Sequence, residues 1–147
     1  MDACWYDQAN DILYLIELKD WGSSTLDEEG DSTKSEEWIL ENKKRISEYR
    51  INTLLKKSID CVCMFASILL ARPYGSRINA CYPFTISVKT QIKLLSIINW
   101  AENDTSYVSN VNTKYRSKFN PYAKLFDIKV FLVLTKNQAM EHFSWVG

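Results

Sequence analysis

The run Asp11-Ile-Leu-Tyr-Leu-Ile-Glu17-Leu-Lys19-Asp-Trp21 constrains this chain more than any other segment. Its unbroken apolar stretch suits a central strand covered on both sides, with Ile12, Tyr14, Ile16 and Leu18 on one face and Leu13 and Leu15 on the other. Such a strand has little structural use for charge, yet it ends in Glu17 and Lys19. Strand side chains alternate, so these two project from the same face, about 6.6 Å apart along the backbone. A carboxylate beside an ammonium fits a hard-cation site: Mg2+ takes carboxylate oxygens and keeps several waters. The amine can then lower the pKa of a bound water or steady charge developing on phosphorus.

A second carboxylate comes from the segment ahead. Met1-Asp-Ala-Cys-Trp-Tyr-Asp7 is short and aromatic-rich, and Gln8-Ala-Asn-Asp11 carries turn-forming Asn and Asp. The two runs read as a hairpin. With a two-residue loop at Ala9 and Asn10, Cys4 faces Leu15 and Asp2 faces Glu17. Opposed Cβ atoms in an antiparallel pair lie roughly 4.5–5.5 Å apart, close enough for both carboxylates to share one ion. Asp11 is excluded, because six residues of extended strand separate it from Glu17 by about 20 Å.

An Asp at the start of one strand, a hairpin, and a hydrophobic strand ending in Glu-x-Lys resemble the active-site signature of the PD-(D/E)xK, or restriction-endonuclease-like, nuclease superfamily. The match covers Asp2 to about Trp21. The resemblance implies phosphodiester hydrolysis in DNA or RNA, with Asp2 and Glu17 holding Mg2+ (or Mn2+) and Lys19 orienting or activating the attacking water. It also implies the Leu18 carbonyl as a further metal ligand, and a groove bordered by the following helix in which Lys44 touches phosphate. Charge stabilisation at pentacoordinate phosphorus needs no protein nucleophile, so a chain whose only histidine is His142 has sufficient equipment. The family core carries a helix, often acidic, and a strand ahead of the Asp strand, whereas here Asp2 follows Met1 directly. Three explanations stand side by side: a fragment, a homo-oligomer or partner chain that completes the N-terminal core, or a degenerate copy with a non-catalytic role.

At 147 residues, 46% hydrophobic and 24% charged, the chain reads as one globular domain over 1–147, with a flexible loop at 22–34. Eighteen basic residues balance eighteen acidic ones, so nucleic-acid binding depends on local clusters and not on a global field. No secretory leader is expected ahead of the first strand, and Ile59–Ala71 is too short and too charged to span a bilayer, which points to a cytoplasmic protein. Cys61-Val-Cys63 lacks the spacing of a structural zinc loop, so Cys4, Cys61, Cys63 and Cys81 are expected to be reduced and buried. No helix start or basic neighbour activates any of them toward a nucleophilic pairing with His142, which reads as structural.

A long helical stretch is expected from Ser35 toward Ala71, as one helix or as two broken near Lys57-Ser58, and ended by Arg72-Pro73-Tyr-Gly75. Its apolar positions, among them Trp38, Ile46, Tyr49, Leu54, Val62, Phe65 and Leu69, are placed against the sheet, and its charges pair along the helix. Phe84–Thr90 alternates like a strand and Gln91–Trp100 reads as an amphipathic helix. The cluster Lys114-Tyr-Arg116-Ser-Lys118-Phe either holds phosphate and stacks bases or forms a solvated helix face with its rings turned inward. Asp127–Leu134 reads as a buried strand, with a last short helix from Asn137. Asn103-Asp-Thr105 matches a glycosylation sequon with little use without secretion.

The order strand, strand, helix, strand, helix, strand gives an α/β fold, a mixed central sheet flanked by helices, here of restriction-endonuclease-like type. Its function is then a metal-dependent nuclease, a silent nuclease-like binding or assembly module, or an unrelated α/β interaction domain.

Overall fold

A computed structural model describes residues 2–22, 36–101 and 105–143. The loop expected at 22–34, apart from Gly22, the helix start at Ser35 and most of the Asn103 sequon lie outside the described residues. The chain is α/β: four strands, β1 (Ala3–Asp7), β2 (Ile12–Gly22), β3 (Gln91–Trp100) and β4 (Val130–Thr135), form a mixed sheet. Four helices, α1 (Glu36–Leu69), α2 (Pro73–Asn79), α3 (Ser106–Leu125) and α4 (Lys136–His142), flank it. Strand order follows the sequence, with β1 antiparallel to β2 and β2, β3 and β4 parallel.

The hairpin has the expected register, with Cys4 opposite Leu15 and Asp7 opposite Ile12. Its loop is wider than expected: four residues, Gln8–Asp11, lie outside the ladder. Asp7 Oδ1 accepts from the amides of Ala9 (3.1 Å) and Asn10 (3.2 Å), and Asn10 Nδ2 donates to Asp7 Oδ2. These bonds, the Asn10 side chain first, pull the Asp7 carboxyl below its usual range. Asp11 takes a left-handed φ of 52°, a conformation Asp tolerates, and accepts from the Tyr6 hydroxyl.

β2 is buried on both faces. Leu13 and Leu15 join the larger core with Leu94, Ile98, Phe131 and Val133, beneath α1 and α3. Tyr14 and Ile16 join a smaller one with Leu95, Ile97 and Ala139, beneath α4. Leu18 departs from expectation at 52% exposure, lying beyond that smaller cluster.

The expected helix at Gln91–Trp100 is instead β3, and Phe84–Thr90, read as a strand, is irregular. Leu94 to Ile98 are all buried, as a parallel strand sandwiched between two layers requires, and such a run shows neither the period of a helix nor that of a half-exposed strand.

Helix α1 is continuous through Lys57 and Ser58. The Ser58 hydroxyl donates to the Leu54 carbonyl one turn back, so the residue stays within helical geometry. The buried stripe, Ile51, Leu54, Ser58, Val62, Phe65 and Ile68, follows steps of three and four. Tyr49 (72% exposed) and Trp38 lie off that stripe and do not enter the core, and Leu69, in line with it, is the last residue of α1 and stays exposed. Arg72–Gly75 does more than end α1, because Pro73 opens α2, where its missing N–H does no harm. Gly75 lets α2 lie directly on α1: a Cβ there would stand 2.2 Å from the Ser67 carbonyl carbon and oxygen.

The last parallel strand, β4, forms one sheet edge, and Asn112 of α3 blunts it by accepting the Val133 amide at 2.9 Å. Thr135 then caps α4 through a reciprocal pair with Gln138.

Candidate metal and nucleic-acid site

Odd residues of β2 face α1, so Glu17 and Lys19 point toward the larger core's side of the sheet. Glu17 is 7% exposed and both of its carboxylate oxygens are shielded from solvent. The Lys19 ammonium meets Glu17 Oε1 at 2.6 Å while remaining partly exposed. Strand alternation puts the two on one face, and their side chains close the remaining gap.

The β1–β2 ladder closes at Ala3–Ile16, one pair short of Asp2 and Glu17. The Asp2 amide donates to the Ile16 carbonyl at 3.0 Å, and Asp2 Oδ2 accepts from the Leu18 amide at 2.8 Å. Asp2 is thereby fixed at the residue between Glu17 and Lys19. A strand residue directs its N–H and C=O to the same side, so the Leu18 carbonyl also faces the β1 side.

Two cavities flank these groups. One of about 20 Å3 touches Glu17, Lys57, Ser58, Cys61 and Ser96, and its volume is that of roughly one water. The other, about 410 Å3, lies between β1 and α1 and is lined by Asp2, Cys4, Lys57, Asp60, Cys61 and Tyr82 among others. Lys57 and Cys61 belong to both walls. None of Lys57, Asp60, Cys61 or Tyr82 was expected from the sequence as a site residue. A signal existed for three of them: Lys57, Asp60, Cys61 and Met64 fall at i, i+3, i+4 and i+7, one face of α1. Tyr82 carries no such mark, because only the folding of α2 onto α1 brings it there.

The cysteines correct an expectation. All four are free thiols, but Cys4, Cys63 and Cys81 are exposed and Cys61 is half-buried. Cys63 and Cys61 differ by two helical positions and so face different directions. Burial pushes the Cys4 and Cys61 thiols up, and Glu17 and Asp60 also raise Cys61. That keeps them protonated, opposite to a catalytic thiol. His142 ends α4 on the far face of the sheet from Cys61.

The expected phosphate contacts do not share the cavity walls. Lys44 is exposed on α1, thirteen residues ahead of Lys57 and about 20 Å away along the helix. Lys114, Arg116 and Lys118 are exposed on α3, but Tyr115 and Phe119 of the same run are fully buried, so the cluster has no ring available for stacking there. Lys118 donates to Asn52 Oδ1, and Arg116 lies 5.7 Å from the Phe131 ring centre.

Beneath the smaller cavity, Ser58 Oγ lies 2.7 Å from the Tyr115 hydroxyl. Since Ser58 gives its proton to Leu54, Tyr115 donates to Ser58. Burial pushes the Tyr115 phenol up to about 12. At the ends of β2 and β3, Arg50 donates to the Trp21 carbonyl and the Tyr107 hydroxyl and lies over both rings.

Chemically, the strand end offers two carboxylates, a backbone carbonyl and an ammonium, all hard oxygen donors apart from the amine. Among the described residues, no three or more His, Cys, Asp or Glu side chains converge as a metal cluster. Mg2+ needs only one or two carboxylates and retains its waters elsewhere. No helix of the described residues is long and apolar enough to cross a membrane. No protein-family model, curated protein or solved structure matches the chain.

Proposed function

We propose that the protein is a metal-dependent nuclease of restriction-endonuclease-like type, hydrolysing phosphodiester bonds in DNA or RNA in the cytoplasm. The observation that carries this reading is the 2.8 Å bond from the Leu18 amide to Asp2, which ties one carboxylate to the residue between Glu17 and Lys19. Asp2, Glu17 and the Leu18 carbonyl would hold Mg2+ or Mn2+, and the oxygen-only donor set suits such ions. Bound there, the ion would supply charge stabilisation for an attacking water and the phosphoryl oxygens. The Lys19 ammonium, 2.6 Å from Glu17 Oε1 on a side chain that remains partly exposed, would orient the water.

A second reading, a silent nuclease-like fold used for binding or assembly, is favoured by the enclosure of Glu17. One experiment separates them. Wild type is expected to cleave oligonucleotides with Mn2+ or Mg2+, and Glu17→Ala and Lys19→Ala to lose that activity while still folding by circular dichroism. Full activity in both variants refutes the assignment; an inert wild type leaves the scaffold reading.

A further inference from the structure

We infer that the 410 Å3 cavity between β1 and α1 receives one nucleotide of a single-stranded nucleic acid, its phosphate on Lys57 and its base on Tyr82. The inference deepens the nuclease reading and rests on it for the location of the scissile bond. Size comes first. A cavity of this volume holds a small ligand, whose usual pockets span roughly 300–1,000 Å3, whereas a duplex is too wide to enter it.

Among the described residues Lys57 is the one cation lining these two cavities, and it touches both, the larger alongside Asp2 and the smaller alongside Glu17. Tyr82 supplies a fixed ring. Its amide donates to the Asn79 carbonyl at the end of α2, and α2 is set against α1 by Gly75. The Tyr82 ring stacks on Phe84 at 5.1 Å, which stacks on Tyr6 at 4.3 Å. A ring braced from behind is a platform on which any base can stack. The α3 cluster offers no equivalent, since its rings are in the core.

Asp2 and Asp60 share the wall, and by themselves they repel an anion. Nucleotide binding therefore requires a divalent cation to offset them, which makes the affinity metal-dependent.

The test is fluorescence anisotropy of a labelled eight-nucleotide oligothymidylate and of a blunt duplex of equal length. Both are measured with Mg2+ and with EDTA, and the same samples are run on a gel to follow cleavage. The single strand is expected to bind at least about tenfold more tightly than the duplex, and only with Mg2+. Tyr82→Ala should weaken it about tenfold, Tyr82→Phe should not, and Lys57→Ala should weaken it while Lys57→Arg restores part of the loss. Thermal melts confirm that each variant is folded. Equal or tighter duplex binding, no binding of either probe, or equal behaviour of Tyr82→Ala and Tyr82→Phe overturns the inference. Tyr82-dependent binding without cleavage supports the pocket and counts against the nuclease reading. Cleavage of duplex with no single-strand preference does the reverse.

Discussion

Replacing Tyr115 by Phe removes one hydroxyl from the middle of the protein and tests the network under the Glu17 cavity. Tyr115 is fully buried and donates to Ser58, which keeps its own bond to Leu54 after the substitution. The loss at neutral pH is that of one hydrogen bond, with the Ser58 hydroxyl keeping its bond to Leu54 as its remaining partner, about 1 kcal/mol. In alkali the sign reverses. The folded phenol titrates at about 12, against about 10 in the unfolded chain. Between these values the unfolded chain has released its proton and the folded one has not, so wild-type stability is intact below pH 10 and falls as pH rises toward 12. By pH 11 the fall is about 1.4 kcal/mol, which exceeds the lost hydrogen bond. Stability curves of wild type and Tyr115→Phe, from urea unfolding at intervals between pH 8 and 11, should cross between pH 10 and 11. The other tyrosines are common to both proteins and cancel. A constant wild-type advantage through pH 11 would refute the account of the buried phenol.

Two further substitutions probe the scaffold. Gly75→Ala forces a methyl into the Ser67 backbone, so α2 must lift from α1; a loss of about 1–3 kcal/mol is expected, read as a lower urea midpoint, along with a change in Tyr82 fluorescence. Asn112→Ala strips the acceptor from the Val133 amide at the sheet edge, costing about 1 kcal/mol and increasing concentration-dependent association by light scattering; unchanged association would argue that the edge is guarded by other means.

The hairpin and its register could be read from sequence because both depend on neighbours: a polar tetrapeptide, and a two-residue alternation that puts Cys4 against Leu15. That Glu17 and Lys19 share a face was legible for the same reason. Failure began where pattern loses its period. Gln91–Trp100 is apolar on both sides, and Ile92, Leu95 and Ile98 satisfy helical spacing as well as they fill a strand. The β-branched Ile92, Ile97 and Ile98 were the better guide. Ser58 suggested a break in α1, yet a serine bonded back to residue i−4 sits comfortably in a helix. The cavity walls were hidden for a different reason. Asp2, Lys57 and Tyr82 come from three segments far apart in the chain, and local periodicity says nothing about which helix face will meet which strand end.

The hairpin carries one more implication, for the order in which the site is assembled. Asp2 reaches Leu18 across only sixteen positions, while Ser96 must close a loop of nearly eighty residues to stand beside Glu17. Closing the shorter loop is entropically cheaper, so the acidic pair belongs to a unit that can organise before the parallel strands find one another. The bond that aligns Asp2 with Leu18 is contained within the first twenty residues.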